Sequence, residues 1–320
     1  MKIACVYRAK SPEEQQFMPP EGFLVEAPLD NVYTPENLKA IAEADAILAW
    51  GSYINAQLLG AAKKCRMIQT TGAGYDKIDL AAAKQHGIIV CNNGDNNSDR
   101  VADFAMLMIL ATMRNFLPMA NALAAGDWEA SRKAGALGVA IAGKTLGIVG
   151  FGNIGSRLAK RAVGFDMKLL YNDIKDVNGD VARATGARKV EKAELFAQSD
   201  VVSIHTPHDA STEHMVNAQV LASMKPGAYL VCSARGRIVD ESALRDALES
   251  GHLAAAGLDV FATEPLPADN PLRGAPNLIM TPHLAGHGAD TMGTTMDRAA
   301  ENIRRYVLHD QQPRNVIQAP

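Results

Sequence analysis

The sequence predicts an α/β protein with two doubly wound parallel-sheet domains, and three observations carry that prediction. From Gly143 to Pro282, short β-rich runs alternate with helical patterns, as βαβ units around a parallel sheet require. A second, smaller set of the same alternation occupies the chain up to Cys91. In the larger set, one strand pattern runs directly into a helix pattern through the glycine-rich turn Gly150-Phe151-Gly152-Asn153-Ile154-Gly155.

In the first set, Lys2–Tyr7, Ala46–Ala49, Met67–Thr70 and Ile88–Cys91 read as strands. Leu38–Ala42, Ala56–Lys63 and Leu80–Gln85 read as helices. No Ser- or Gly-rich linker follows, so the join is predicted to be a long helix starting near Ser98. Its stretch Phe104–Met113 is apolar all round and about half the length of a membrane span. Asp103 and Arg114 bound it. It reads as a helix buried in the core or at a homodimer interface.

In the second set, the strands read as Thr145–Val149, Lys168–Tyr171, a weak one near Arg188–Val190, Val201–His205, Tyr229–Cys232, Gly257–Val260 and Leu278–Met280. Ile154–Val163, Ala193–Gln198 and Glu241–Glu249 read as helices between them. The tail from Thr291 to Val307 is helical and most simply folds back onto the first domain. That makes the first domain discontinuous, residues 1–97 plus 286–320, with residues 98–285 forming the second.

Composition narrows the partners. A chain of 320 residues with 48% hydrophobic content buries a large core and is long enough for two domains. The net charge of −3, from 32 basic and 35 acidic residues without like-charge runs, argues against nucleic acid or an anionic membrane. Cys5, Cys65, Cys91 and Cys232 show no CxxC spacing and sit in strand-like contexts. They read as buried free thiols in a reducing compartment, with no metal site. Met1–Tyr7 reads as a strand, not a signal peptide, so the chain is expected to be cytoplasmic.

The glycine turn gains its meaning from the strand Thr145–Val149 before it and the helix after it. Gly150 allows the tight turn, Gly152 the close approach of a pyrophosphate to the backbone, and Gly155 the contact of helix with sheet. Asn153 and Ile154 open the helix, whose N-terminal N–H groups and partial positive charge suit phosphates. Asp173 follows the second strand, eighteen residues after Gly155, where an acid accepts from the ribose hydroxyls and repels a 2′-phosphate. These features predict NAD in preference to NADP.

Three further groups each follow a strand. Arg235 lies in Cys232-Ser233-Ala234-Arg235-Gly236-Arg237, Glu264 in Gly257-Leu258-Asp259-Val260-Phe261-Ala262-Thr263-Glu264-Pro265, and His283 in Thr281-Pro282-His283-Leu284-Ala285-Gly286. The carboxyl ends of strands are where open α/β sheets bind ligands. Singly, each group fits a surface ion pair, a turn or a packing histidine. Jointly they supply a carboxylate clamp and an acid/base pair.

With the glycine turn, these segments resemble the D-isomer-specific 2-hydroxyacid dehydrogenases. The resemblance runs from about Gly72 to the last helix and includes Thr71-Gly72-Ala73-Gly74-Tyr75-Asp76 and Met224-Lys225-Pro226-Gly227-Ala228. It implies a larger Rossmann NAD-binding domain, a smaller flavodoxin-like substrate domain, and an active site in the cleft between them. It implies a small 2-hydroxy or 2-oxo acid as substrate. Arg235 would hold the substrate carboxylate and 2-oxo group through its planar fork of donors. His283 would give and take the proton at the 2-oxo oxygen, and Glu264 would orient its ring and support the charged donor.

The same resemblance implies that Ala73 and Gly74 offer backbone N–H groups to the substrate carboxylate. It implies that Thr206, Ser233, Ala234 and Asp259 line the nicotinamide and its ribose. His205-Thr206-Pro207 fits an ordinary strand-ending turn equally well, and Trp50-Gly51-Ser52-Tyr53 fits a pocket wall or simple packing equally well. Cys232 stands where the family usually has asparagine, and Asp103 where it usually has glutamate. Two rival readings are an NAD-sensing corepressor-like binding protein and a phosphite-type dehydrogenase. Glu264 argues against a formate-oxidising relative, which pairs the histidine with glutamine.

Overall fold

The structure, a computed structural model, describes residues 1–7, 16–28, 30–176, 178–288 and 292–319. The chain divides into two compact units, Met1–Asn97 with His287–Pro320, and Ser98–Gly286.

The first unit begins with five strands: β1 (Ile3–Tyr7), β2 (Gly22–Glu26), β3 (Ala46–Ala49), β4 (Met67–Thr70) and β5 (Ile89–Cys91). β1 is fully buried on both faces, as a central parallel strand must be, and its five residues read as one apolar run. Connecting helices start on side-chain caps. Thr34 and Asn37 form a reciprocal capping box before Pro35–Ile41, and Asn55 and Asp79 cap the next two helices.

The second unit carries seven further strands: β6 (Thr145–Val149), β7 (Lys168–Asn172), β8 (Arg188–Lys189), β9 (Val201–Ile204), β10 (Ala228–Cys232), β11 (Leu253–Leu258) and β12 (Leu278–Met280). They pair in the order β12-β11-β10-β9-β6-β7-β8, all in parallel. The order reverses between β6 and β9, which is where an open sheet opens a crevice at its carboxyl edge. Alternation along β9 feeds two cores. Val202 and Ile204 pack with Phe196, Leu230 and Leu244 on one face, and Val201 packs with Met106, Ile109 and Leu158 on the other.

The last helix, Met292–Val307, belongs to the first unit, where Met296, Ala299 and Ile303 pack against Ile3, Leu48 and Met67. Thr291, read from the sequence as its start, lies outside the described residues. The chain ends on β13 (Val316–Gln318), which pairs antiparallel with β5 and gives the order β13-β5-β4-β3-β1-β2.

Several elements depart from the sequence reading. The strand read as Gly257–Val260 is Leu253–Leu258, because Ala254, Ala255 and Ala256 lack the β-branched signal yet lie between two paired strands. β2 and β13, both short edge strands, are absent from the sequence expectation. The helices Phe116–Ala124 and Trp128–Ala136 are absent from it as well. The helix Ser98–Met113 is not buried all round: Ala105, Met108, Ile109 and Thr112 are buried, while Leu107 is 55% exposed. Among the described residues, no single helix is long and apolar enough to cross a membrane.

Candidate active site

β10, β11 and β12 lie side by side in parallel, so the loops leaving their carboxyl ends meet at one edge of the sheet. Arg235 follows β10, Glu264 follows β11 and His283 follows β12. The Arg235 guanidinium donates to the Ala234 carbonyl at 2.6 Å, which braces it beside its own loop. The next residue must be glycine: a Cβ on Gly236 would overlap the Phe261–Ala262 backbone of the neighbouring loop. The arginine loop and the glutamate loop are therefore packed backbone to backbone.

Glu264 and His283 are joined directly. His283 Nδ1 lies 3.0 and 2.9 Å from the two carboxylate oxygens of Glu264. A carboxylate only accepts, so Nδ1 carries the proton in this pair and Nε2 is the nitrogen left for exchange with a ligand. Glu264 also accepts from the Phe261 N–H at 3.2 Å, which fixes the carboxylate in turn. His283 holds a left-handed backbone, φ 58°, at a cost on the order of 1 kcal/mol for a non-glycine residue.

Asp259 sustains that conformation. It is 1% exposed, and its carboxylate accepts from Thr281 Oγ1 at 2.6 Å, Leu284 N–H at 3.0 Å and Ala285 N–H at 2.8 Å. Its own N–H donates to the Cys232 carbonyl at 3.0 Å. The resemblance implies that Asp259 lines the nicotinamide and its ribose; in the fold its oxygens also accept hydrogen bonds from both sides of the histidine turn. Glu241 lies outside the residues that the sequence singles out. Its carboxylate accepts from Ala262 N–H and from Asn270 Nδ2, both at 2.7 Å, and so holds the glutamate loop. The sequence offered no signal for that contact beyond the acid's place at the start of a helix.

The cofactor edge lies on the same sheet. Gly150 adopts φ +90°, and a Cβ there would come within 2.8–2.9 Å of the His205–Thr206 backbone. Gly152 caps the helix Asn153–Val163, with Ile154 and Gly155 in its first turn. A Cβ on Gly152 meets nothing within 4 Å, whereas one on Gly155 would overlap the Gly150 carbonyl. The turn is thus closed on its sheet side and open where a phosphate would approach the helix N-terminus. Asp173 accepts from Phe151 N–H at 2.7 Å and from Lys175 N–H at 2.8 Å, which holds the acid against the glycine turn. Three side-chain atoms at this edge are buried without a hydrogen-bond partner: His205 Nδ1, Thr206 Oγ1 and Ser233 Oγ. Orphaned polar atoms beside an open glycine turn fit a dinucleotide, whose oxygens and carboxamide would offer hydrogen-bond partners there.

In the first unit, Ala73 and Gly74 lie in the loop after β4, where Asn92 Nδ2 donates to the Ala73 carbonyl at 2.7 Å. Trp50 is 9% exposed and tilts against Tyr7, ring centroids 5.3 Å apart, so it belongs to the core. Tyr53 is 43% exposed, with the Lys77 ammonium 5.4 Å from its ring centroid. The four cysteines are all free and buried, and burial pushes the Cys232 thiol up to about 11.

A doubly wound sheet with a dinucleotide turn, an arginine and a carboxylate–histidine pair at one edge defines a nicotinamide-dependent dehydrogenase. The profile of the family described as D-isomer specific 2-hydroxyacid dehydrogenase, NAD binding domain, matches residues 106–285. A glyoxylate reductase of Korarchaeum cryptofilum is 36% identical over 268 residues, covering 83% of this chain and 80% of its own. A glyoxylate/hydroxypyruvate reductase B of Yersinia enterocolitica is 37% identical over 270 residues, covering 84% and 82%. Among solved structures, an NAD-dependent formate dehydrogenase from Staphylococcus aureus in complex with NAD superposes with a TM-score of 0.85. It is 28% identical and covers 100% of this chain and 99% of its own. The chain belongs to the D-isomer-specific 2-hydroxyacid dehydrogenases, NAD-dependent oxidoreductases that interconvert a hydroxyacid and its oxoacid.

Proposed function

We propose that this protein reduces a small 2-oxoacid of the glyoxylate or hydroxypyruvate type, using the Arg235–Glu264–His283 set. The observation that carries the reading is the Glu264–His283 pair, in which both carboxylate oxygens face Nδ1. NADH supplies the hydride when bound, at the edge formed by Gly150, Gly152, Asn153, Ile154, Gly155, Asp173, Thr206, Ser233, Ala234 and Asp259. Arg235 offers a planar fork of donors to the carboxylate and 2-oxo group of the acid. His283 Nε2–H donates to the 2-oxo oxygen and gives up its proton as that oxygen becomes a hydroxyl. Glu264 holds the ring in register and balances its charge while it is protonated. Asp259 positions the histidine turn.

The first unit is assigned to the substrate, with Ala73 and Gly74 as backbone donors to its carboxylate. The names of the two reductases support glyoxylate and hydroxypyruvate as the substrates to try first. Phe116, Leu117, Leu123, Trp128 and Leu137 are exposed on or beside two helices, of which Phe116–Ala124 buries none of its residues. An apolar surface of this kind supports a homodimer, which light scattering would read as twice 34.1 kDa. The buried free thiols support a reducing, cytoplasmic setting.

The test is a panel of 2-oxoacids mixed with the purified protein and NADH, following the absorbance of the reduced cofactor. Turnover with glyoxylate or hydroxypyruvate is expected. No turnover with any 2-oxoacid would leave the catalytic reading without support and return attention to a binding role.

A further inference from the structure

In the first unit β4 and β5 are parallel neighbours, so the loops leaving their carboxyl ends run side by side. Asn92 and Asn93, directly after β5, spend their amides on the loop after β4. Asn93 Nδ2 donates to the Thr71 carbonyl at 3.1 Å, and the Asn93 N–H donates to the Gly72 carbonyl at 3.0 Å. The Thr70 hydroxyl adds a second bond to the Gly72 carbonyl at 2.7 Å, and Asn92 Nδ2 donates to the Ala73 carbonyl at 2.7 Å. Three consecutive carbonyls are thereby pinned in a segment outside any helix or strand.

The peptide bonds of this segment are trans, and in a planar trans unit the C=O and N–H point in opposite directions. Pinning the Gly72 carbonyl therefore aims the Ala73 N–H away from Asn93. Pinning the Ala73 carbonyl aims the Gly74 N–H away from Asn92. Neither N–H donates to any group among the described residues. The clamp is itself held. Asn93 is 3% exposed, and its Nδ2 also donates to the Thr295 carbonyl of the last helix at 3.0 Å. Asn92 Oδ1 accepts from the Gly94 N–H at 3.0 Å, and the Asn92 N–H donates to the Asn315 carbonyl at 3.1 Å.

We infer that Asn92 and Asn93 are positioning residues for the substrate: by fixing the carbonyls of Thr71, Gly72 and Ala73, they preset the N–H groups of Ala73 and Gly74 as a pair of donors to its carboxylate. The inference rests on the proposed reading of this loop as the carboxylate seat. Neither asparagine touches the acid. Without the clamp the two peptide units would be free to rotate, and the cost of ordering them would fall on substrate binding. The carboxylate keeps its charge throughout the reaction, so the loop holds substrate and transition state alike. Its loosening therefore shows in KM, with kcat little changed.

Asn92→Ala and Asn92→Ser both remove the bond to the Ala73 carbonyl. At saturating NADH, each is expected to raise the KM for glyoxylate about tenfold and to change kcat by less than about threefold, with Tm and the Kd for NADH close to wild type. In the unaltered protein, 15N relaxation without substrate should find the Ala73 and Gly74 N–H groups as rigid as β4, with order parameters of about 0.85. Oxamate, an unreducible analogue of a 2-oxoacid, added with NADH should then shift both signals. That measurement needs no variant to fold. An unchanged KM in a folded variant, a loss spread equally over KM, kcat and Tm, or order parameters below about 0.6 for the two N–H groups overturns the inference. Rigid N–H groups whose signals oxamate leaves unmoved overturn the carboxylate reading beneath it, and the two failures are distinguishable.

Discussion

Glu264 holds His283 by one nitrogen, with both carboxylate oxygens within 3.0 Å of Nδ1. The carboxylate is itself tied to the Phe261 N–H, so the ring inherits a fixed orientation from the loop after β11. Orientation and charge balance are separable. Glu264→Gln retains an acceptor for Nδ1–H but removes the negative charge. Turnover of a 2-oxoacid should fall about 100-fold while the Kd for NADH stays put, as read by steady-state kinetics beside calorimetry. Unchanged turnover would mean that the charge plays no part in the proton transfer.

The buried carboxylate of Asp259 organises the histidine turn from beneath. Asp259→Ala strands the Thr281 hydroxyl and two backbone N–H groups, each bonded to it in the native fold. The expected loss is about 3 kcal/mol or more of stability, together with a fall in turnover larger than the fall in NADH affinity. Denaturant unfolding and kinetics on the same preparation check it; native stability in the variant would remove Asp259 from this role.

Gly152 and Gly155 separate cofactor binding from folding. A methyl group on Gly152 enters open space, and one on Gly155 would overlap the Gly150 carbonyl. Gly152→Ala should keep the wild-type Tm and weaken NADH binding about tenfold or more, because the added carbon occupies the approach to the helix N-terminus. Gly155→Ala should lower the Tm itself. Equal NADH binding by the Gly152→Ala protein would place the pyrophosphate elsewhere.

The part-buried ring of His205, whose Nδ1 is shut off from solvent, makes stability depend on acid. Unfolded, it takes up a proton near its ordinary value of 6.5; folded, burial pushes that value down to about 4. Its contribution is fully present above the unfolded value and is lost as pH falls from 6.5 towards 4, by up to about 3 kcal/mol. Urea unfolding across that window should show a smaller loss for His205→Asn than for the wild-type protein. Identical losses would show that the acid sensitivity arises from other groups.

The residues that were easiest to read in the sequence are those whose chemistry is local. Thr145–Val149, Gly150–Gly155 and the following helix announce themselves because strand, turn and helix signals abut. β11 was displaced in the sequence reading because Ala254–Gly257 owes its strand conformation to pairing with β10 and β12, not to its own side chains. The supports of the site were hidden for the same reason. Asp259 meets Leu284 and Ala285 across 25 and 26 residues, and Glu241 meets Ala262 across 21, contacts that only the folded sheet creates. Ser203 and His205, by contrast, are an i, i+2 pair on one strand face, and period-two alternation alone would have put them together.

In the proposed reaction His283 moves the proton. Its most direct measurement is the turnover of the His283→Ala protein with NADH and the best 2-oxoacid of the panel, alongside its Tm and its Kd for NADH. A loss of about 100- to 10,000-fold in turnover is expected, with Tm and NADH affinity close to wild type. Near-wild-type turnover by a folded, NADH-binding His283→Ala protein would contradict it.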